Sequence, residues 1–248
     1  MNAFGRGLFS GLPPVVKNII LINVIMLFAL WTADTAFNFN LNAALGLYYP
    51  KSEHFRPYQI ITHMFMHGGF THIFFNMFAV FMFGRILEQV WGPKRFFIYY
   101  IITGIGAALT HEAVMAIQYQ KLVSSLDPQN VQIVLDRGAE LWQSGRYFTN
   151  PEMQRLNSIL NIPVVGASGA VFGILLAFGM LFPNTQLMLL FPPIPIKAKW
   201  LVIGYGALEL YLAVTKPGSN IAHAAHLGGM IFGFILIKFW KKTTNTLY

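Results

Sequence analysis

The sequence predicts an all-α polytopic membrane protein, a bundle of six transmembrane helices, from its composition and its long apolar runs. Of the 248 residues, 55% are hydrophobic and only 10% are charged. A soluble domain usually carries about 25% charged residues, so this chain has too few to cover a surface that faces water. We therefore expect the lipid bilayer to be its solvent. The chain has no cysteine, which excludes disulfide bonds and a thiol nucleophile.

Six segments are long and apolar enough to cross a bilayer, which requires about 20 mostly apolar residues. In chain order they cover about 17–36, 71–89, 95–117, 165–182, 199–215 and 221–240. Two outer connections, 38–70 and 119–163, are too long to be simple turns. We predict one membrane domain over 1–248, in which 119–163 is an insertion on the outer side.

The lysine and arginine residues predict that both chain ends are cytoplasmic, because short loops on that side of a membrane are enriched in them. The inner segments of this arrangement hold Arg6, Lys17, Arg85, Lys94, Arg95, Lys197, Lys199, Lys238, Lys241 and Lys242. Little acid beyond Glu88 opposes them, whereas the outer cations lie mostly in 119–163 among acidic residues. The net charge of +8 is spread along the chain rather than gathered in one patch, so nucleic acid is not an expected partner.

The insertion 119–163 is predicted to contain two helices. Asp127-Pro128 and Asn150-Pro151 each place a capping side chain before a proline at the first helical position. After the first of these starts, apolar residues recur at helical spacing: Val131, Val134, Leu135, Leu141 and Trp142. Such an amphipathic helix suits the membrane surface or a partner, and an insertion with no part in the chemistry is equally compatible with the pattern.

Polar side chains inside the predicted spans are the candidates for function, because such residues usually face the bundle interior or a water-filled cavity. They are His72, Asn76, Glu112, Ser168, Glu209, His223 and His226. His72 and Asn76 are four residues apart and share one helix face. This pair fits either a hydrogen bond between helices or two donors aimed at a developing negative charge.

The fourth span contains a single serine in the run VVGASGAVFG. The glycines around Ser168, among them Gly166 and Gly169, would let a neighbouring helix backbone approach closely. By itself this pattern is more often a packing seam than a catalytic motif. We expect Ser168 to lie a few residues inside its helix, with Phe172 one turn further on the same face.

The sixth span carries the histidine best placed to meet this serine. At 100° per residue, His226 lies within about 60° of Gly229 and about 20° of Gly233 around the helix, whereas His223 is about 80° or more from both. If the fourth and sixth spans pack through their small residues, His226 meets Ser168. A serine hydroxyl needs such a base to become a nucleophile.

A third catalytic group is not evident from the sequence. A triad needs an acid that orients the imidazole, and no aspartate is placed to do so. Glu112 and Glu209 lie in other spans, where either could equally be structural. We therefore predict a Ser–His dyad in which packing holds the ring, with Phe172 available to stack against it.

These motifs resemble those of the rhomboid intramembrane serine proteases. The resemblance rests on HIFFN (72–76), FGRILEQVWG (83–92), GASGAVFG (166–173) and AHLGGMIFG (225–233), which follow one another in the family's order. It covers roughly residues 50–118 and 163–240. The family fold is a six-helix bundle that needs neither metal nor cofactor.

The resemblance implies a role for each matching residue. Ser168 would be the nucleophile and His226 its general base, with His72, Asn76 and the Ser168 backbone N–H as the oxyanion hole. Supporting positions would be Phe172, Gly166, Gly169, Gly229, Gly233, Glu88, Phe55 and Arg56. The substrates would be transmembrane helices of other proteins, cut near the outer face of a bacterial cell membrane.

Two residues depart from the family pattern. Phe172 stands where tyrosine is common, and Phe55-Arg56 stands where Trp-Arg is common. Both changes keep the aromatic character, so we expect altered stability or rate rather than lost activity.

Three other functions remain as alternatives. An inactive relative that binds or escorts membrane proteins would be expected to lack the serine or the histidine. A metalloprotease needs a motif such as HExxH, and His111-Glu112 has no second ligand after it. A transporter predicts inverted repeats or broken spans, which the sequence does not contain.

Overall fold

The computed structural model describes residues 11–188, 193–215 and 222–244. The helices are α1 (Pro14–Phe37), α2 (Leu41–Leu45), α3 (Gln59–Thr62), α4 (Phe70–Ala79), α5 (Arg85–Ser125), α6 (Pro128–Gln143), α7 (Pro151–Asn161), α8 (Ser168–Leu181), α9 (Ala198–Thr215) and α10 (His223–Thr244). A 3-10 turn, His63–Phe65, follows α3, and a π-helical turn, Val80–Gly84, joins α4 to α5. Arg6 and residue 221, which the predictions above used, lie outside the described residues.

Helices occupy all six predicted spans, and three helical stretches are long and apolar enough to cross a membrane. Within the described chain these are Pro14–Phe37, Phe70–Ser125 and His223–Lys241. The apolar helix Ser168–Leu181 is shorter. The protein is therefore an integral membrane protein built from apolar helices.

The long stretch from 70 to 125 consists of two helical segments separated by a kink, and they match the second and third predicted spans. Gly92 has φ 76° and ψ 164°, and Pro93 follows it. A glycine adopts this conformation without steric cost and a proline lacks the N–H that would continue the helix. The two helical segments on either side of this kink contact each other: the rings of Trp91 and Tyr99 lie 4.9 Å apart, and the Phe96 ring lies against Gly84.

The centre of the bundle is α8, which packs between α5 and α10 through small residues. A Cβ added at Gly229 of α10 would overlap the main-chain carbonyl of Gly169, and one added at Gly169 would overlap Ala107 of α5. Gly233 lies directly against the hydroxyl of Tyr99. The predicted packing of the fourth and sixth spans on their small faces is thus what the structure shows.

Glu88 fixes the start of α1 against α5. Its buried carboxylate accepts hydrogen bonds from the main-chain N–H groups of Val15 (2.9 Å) and Val16 (2.7 Å). These N–H groups belong to the first helical turn, where they have no partner within the helix. Glu88, which was expected to support the site, makes a structural contact between two helices here.

The two long connections, 38–70 and 119–163, pack on the same end of the bundle. Leu47 and Val164 exchange a pair of main-chain hydrogen bonds of 2.9 and 2.8 Å, which ties the segment before α8 to the first outer connection. A hydrophobic cluster joins α6 and α7 to the end of α5. It contains Tyr49, Leu122, Leu126, Val134, Met153, Leu156, Ile159 and Leu160.

Both helix starts predicted in the insertion are confirmed. The Asp127 side chain accepts from Gln129 N (2.8 Å), and the Asn150 side chain accepts from Glu152 N (2.9 Å). The apolar face of α6 contacts protein rather than a membrane at Val134, which is 1% exposed.

A short antiparallel hairpin between α8 and α9 was not predicted. Its strands are β1 (Gln186–Met188) and β2 (Pro195–Lys197), with Leu187 opposite Ile196.

Candidate active site

Ser168 is the first residue of α8, so the expectation that it lies a few residues inside its helix is wrong. Gly166 has φ +130°, a conformation that other residues rarely adopt, and its N–H donates to the carbonyl of His63 at 2.9 Å. This extended segment delays the helix until Ser168. The serine consequently lies at the helix N-terminus, where the main-chain N–H groups lack intrahelical acceptors and the helix dipole is positive.

The structure brings Ser168 and His226 together. Ser168 Oγ lies 2.9 Å from His226 Nε2, which is a hydrogen-bond distance. The buried imidazole ring is stacked on Phe172, with 4.2 Å between ring centroids and 8° between planes. Phe172 is one turn after Ser168 on α8, so a single helix face positions the hydroxyl and supports the ring beside it.

Glu209 is the residue that sequence reasoning failed to place at the site. Its Oε2 lies 3.0 Å from Nδ1 of His226, on the opposite side of the ring from Ser168. The same oxygen lies 2.6 Å from Nδ1 of His223. The His226 ring therefore has a carboxylate beside it in addition to its stacking on Phe172. The available signal was an acidic residue within an apolar span.

The same three side chains form the candidate metal-ligating group of the described residues. One ligand atom from each of Glu209, His223 and His226 lies within 4.8 Å of the others, and two histidines with one glutamate are a known zinc donor set. Two metal bonds of about 2.1 Å to atoms 2.6 Å apart would subtend only roughly 80°, well below the tetrahedral angle. In the present arrangement Glu209 is hydrogen-bonded to His223 and lies 3.0 Å from Nδ1 of His226.

Of the two oxyanion candidates, the structure brings His72 to the wall of the cavity that contains Ser168. His72 Nε2 and Ser168 Oγ lie 2.8 and 3.7 Å from the point where Gly166 would carry a Cβ, so a side chain there would separate them. Asn76 is buried one turn along α4, and its Nδ2 donates to the carbonyl of His72 at 3.1 Å. The Asn76 amide carries a second N–H, which remains as a candidate donor to a substrate oxygen. Asn76 is not among the described residues that line this cavity.

The cavity measures about 980 Å³ and extends from the serine to the insertion. Its wall includes Ser168, His226 and Glu112 from the bundle, and Ser158 and Ile159 from α7. The insertion is therefore part of the wall around the candidate site.

Phe55 and Arg56 lie away from this cavity, in the turn before α3. The Arg56 guanidinium donates to the main-chain carbonyls of Glu53 (2.9 Å) and Phe55 (2.7 Å). Its main-chain N–H donates to Gln59 at 3.0 Å. These contacts stabilise the first outer connection, so any effect of the departure from Trp-Arg reaches the site indirectly.

The segment that leads into α4 carries a buried, neutral histidine. Burial lowers the pKa of His67 to about 4, and the nearby His72 acts in the same direction. The two rings meet edge-on with 5.1 Å between centroids. Burial also lowers the pKa of His63, so this outer segment avoids buried positive charge near the candidate oxyanion site.

The sequence is similar to a known domain family and to several known proteins. The chain matches the Rhomboid domain over residues 54–242. It is 27% identical over 237 residues to the putative rhomboid protease YdcA of Bacillus subtilis (strain 168), which covers 92% of this chain and 89% of that protein. It is 28% identical to the rhomboid protease AarA of Providencia stuartii and 29% identical to Rhomboid protein 1, mitochondrial, of Saccharomyces cerevisiae. These matches cover 70% and 71% of this chain, but only 52% and 40% of the two relatives.

Proposed function

This chain belongs to the rhomboid family, and we propose that it is an intramembrane serine endopeptidase that works through Ser168 and His226. The single observation that carries this proposal is the 2.9 Å separation between Ser168 Oγ and His226 Nε2. Two relatives are named as proteases, one of them as putative.

In the proposed reaction, Ser168 Oγ attacks the scissile carbonyl carbon while His226 Nε2 accepts the hydroxyl proton. The negative charge that develops on the carbonyl oxygen is stabilised by the free N–H groups at the start of α8, by His72 and by Asn76. The C–N bond then breaks as His226 returns the proton to the leaving amine. Water attacks the ester, gives a proton to His226, and Ser168 regains its proton as the acyl group leaves.

The substrates proposed here are transmembrane helices of other proteins. A helix in lipid keeps its carbonyl groups hydrogen-bonded internally, so cleavage requires local unwinding, which small residues near the cut favour. A cavity of about 980 Å³ is at the upper end of the usual size for ligand sites and has room for a short unwound segment.

We propose six membrane crossings with both chain ends cytoplasmic and the active site open to the outer side of a bacterial cell membrane. Helices at all six predicted positions and the lysine and arginine of the inner segments support this topology. Water would reach Ser168 through the cavity that α7 borders at its outer end.

The test uses the full chain purified in detergent, with a transmembrane substrate and a fluorophosphonate that labels reactive serines. We expect the wild type to be labelled and to cleave, and Ser168→Ala to lose both activities. His226→Ala should reduce both to a small residual rate. Cleavage retained in Ser168→Ala would overturn the mechanism. A wild type that binds the substrate but neither cleaves nor reacts would support the binding or escort function instead.

A further inference from the structure

We propose that Glu209 is a positioning residue that orients the catalytic histidine, so that the active site is completed by α9. This inference rests on the proposed protease function. It adds Glu209 to the predicted Ser168–His226 dyad as the group that orients the imidazole, and it adds His223 as the residue that holds the glutamate.

The first step concerns the position of the imidazole proton. A neutral histidine carries one N–H, and only the form protonated at Nδ1 leaves Nε2 free to accept the serine proton. Glu209 Oε2 lies 3.0 Å from Nδ1 of His226 and Ser168 Oγ lies 2.9 Å from Nε2. A carboxylate on the Nδ1 side selects the productive form, since it can accept a hydrogen bond and cannot donate one.

Burial strengthens this preference. His226 and Glu209 are 8% and 7% exposed. No described residue forms an aligned hydrogen bond to the His226 Nδ1 atom, so Glu209 approaches it to 3.0 Å without the alignment of a hydrogen bond. Between two side chains that are this buried, a ring nitrogen and a carboxylate at this distance interact more strongly than they would in water. Catalytic hydrogen bonds that are poorly aligned without substrate often tighten when substrate binds.

The second step concerns what holds Glu209. His223 lies one turn before His226 on α10, and its Nδ1 is 2.6 Å from the same Oε2 atom. The carboxylate is thus bound by two histidines of one helix. His223 thereby limits the rotation of the Glu209 side chain and keeps its oxygen beside His226.

The third step concerns α9 itself. Its buried residues are Ala198, Val202 and Glu209, of which only Glu209 is polar. Large apolar side chains on the same helix remain exposed: Trp200, Ile203, Leu208, Leu210, Tyr211 and Val214. Tyr205 adds an edge contact to Phe172, with 6.2 Å between ring centroids. The Glu209 carboxylate is therefore the main polar contact between α9 and the helices that carry Ser168 and His226, α8 and α10. Moving α9 outward would remove the partner of His226.

The first experiment separates substrate binding from chemistry. In Glu209→Gln and Glu209→Ala we expect kcat for a transmembrane substrate to fall about 100-fold or more, because loss of an orienting carboxylate has effects of that size or larger in serine proteases. KM should change less than about threefold. The rate of fluorophosphonate labelling should fall by a similar factor to kcat. The matched control is Leu208→Ala, at the neighbouring exposed position on α9.

The second experiment tests whether Glu209 acts through His226. Residual activity in His226→Ala should not fall further when Glu209→Gln is added, because effects of residues that act as a unit are not additive. Nitrogen-15 spectra of histidine-labelled protein should show His226 protonated at Nδ1 in the wild type. In Glu209→Gln that form should lose population to the form protonated at Nε2.

Failure of this inference and failure of the proposed function give different results. A wild type without labelling or cleavage contradicts the protease function itself. An active wild type whose Glu209→Gln variant keeps kcat and the same His226 tautomer contradicts the positioning role. A fall in thermal stability with unchanged activity per folded molecule also contradicts it, because the contact would then be only structural. Thermal unfolding of each variant distinguishes this last case.

Discussion

Gly229 of α10 lies against the main-chain carbonyl of Gly169 of α8, with no space between them for a side-chain carbon. Ser168 precedes Gly169 directly, and His226 lies one turn before Gly229. The close approach of the two helices at these glycines is therefore what sets the 2.9 Å separation between Ser168 Oγ and His226 Nε2.

We expect Gly229→Ala to separate α8 from α10 and to break this contact. Overpacking of this kind costs about 1–3 kcal/mol, and displacement of a catalytic group by about 1 Å lowers the rate about 100-fold. Thermal unfolding and cleavage of a transmembrane substrate measure the two effects. The control is Gly204→Ala on α9, where an added Cβ meets nothing within 4 Å. Equal activity in both variants would show that the glycine contact does not position the site.

Glu88→Ala should destabilise the bundle without altering the chemistry. The variant leaves the N–H groups of Val15 and Val16 without their buried acceptor, which costs about 2–4 kcal/mol for a charged partner. Glu88→Gln keeps one acceptor oxygen, so its free energy of unfolding should fall less than that of Glu88→Ala. The measurements are thermal unfolding in detergent and kcat per folded molecule.

The control for Glu88 is Glu140→Ala on the surface of the insertion. Glu140 lies 3.5 Å from Arg146, and both side chains are exposed, so its loss should change stability by less than about 1 kcal/mol. If Glu88→Ala unfolds at the same temperature as Glu140→Ala, the contact between Glu88 and α1 does not stabilise the bundle.

The features predicted correctly from the sequence depend on local patterns. The Asp127-Pro128 and Asn150-Pro151 starts were recognisable because a cap and a proline act within a few residues of each other. The meeting of His226 with Ser168 was predictable because glycines at helical spacing mark the closest faces of two helices. The first prediction needed only one helix start and the second needed only two helices, so neither depended on the position of any other helix.

The features that were missed depend on contacts between distant segments. The start of α8 is set by the positive φ of Gly166 and by its hydrogen bond to His63, about a hundred residues earlier. The contact of Glu209 with His226 depends on the rotation of α9, which is apolar on most sides and so gives no face preference. Packing of α6 on α7 likewise required knowing where the end of α5 lies.

Ser158→Trp tests whether α7 contributes to substrate binding. Ser158 lines the same cavity as Ser168, and an indole there would occupy part of the space available to a substrate segment. We expect KM for a transmembrane substrate to rise about tenfold, while labelling by a small fluorophosphonate stays within about twofold. Gln132→Trp, on the exposed side of α6, is the control. Unchanged KM in Ser158→Trp would mean that substrates do not pass along α7.

Acid should destabilise the fold through His67. Burial lowers the pKa of this side chain to about 4, whereas a histidine in the unfolded chain has a pKa near about 6.5. The unfolded state therefore binds the proton first as the pH falls, and stability is complete above about pH 6.5 and declines toward pH 4. The full difference corresponds to about 3 kcal/mol. Unfolding temperatures in detergent between pH 7 and pH 4.5 should decline less steeply in His67→Leu than in the wild type, with His63 retaining its own share of the slope. Parallel curves for the two proteins would show that His67 is not held neutral by the fold.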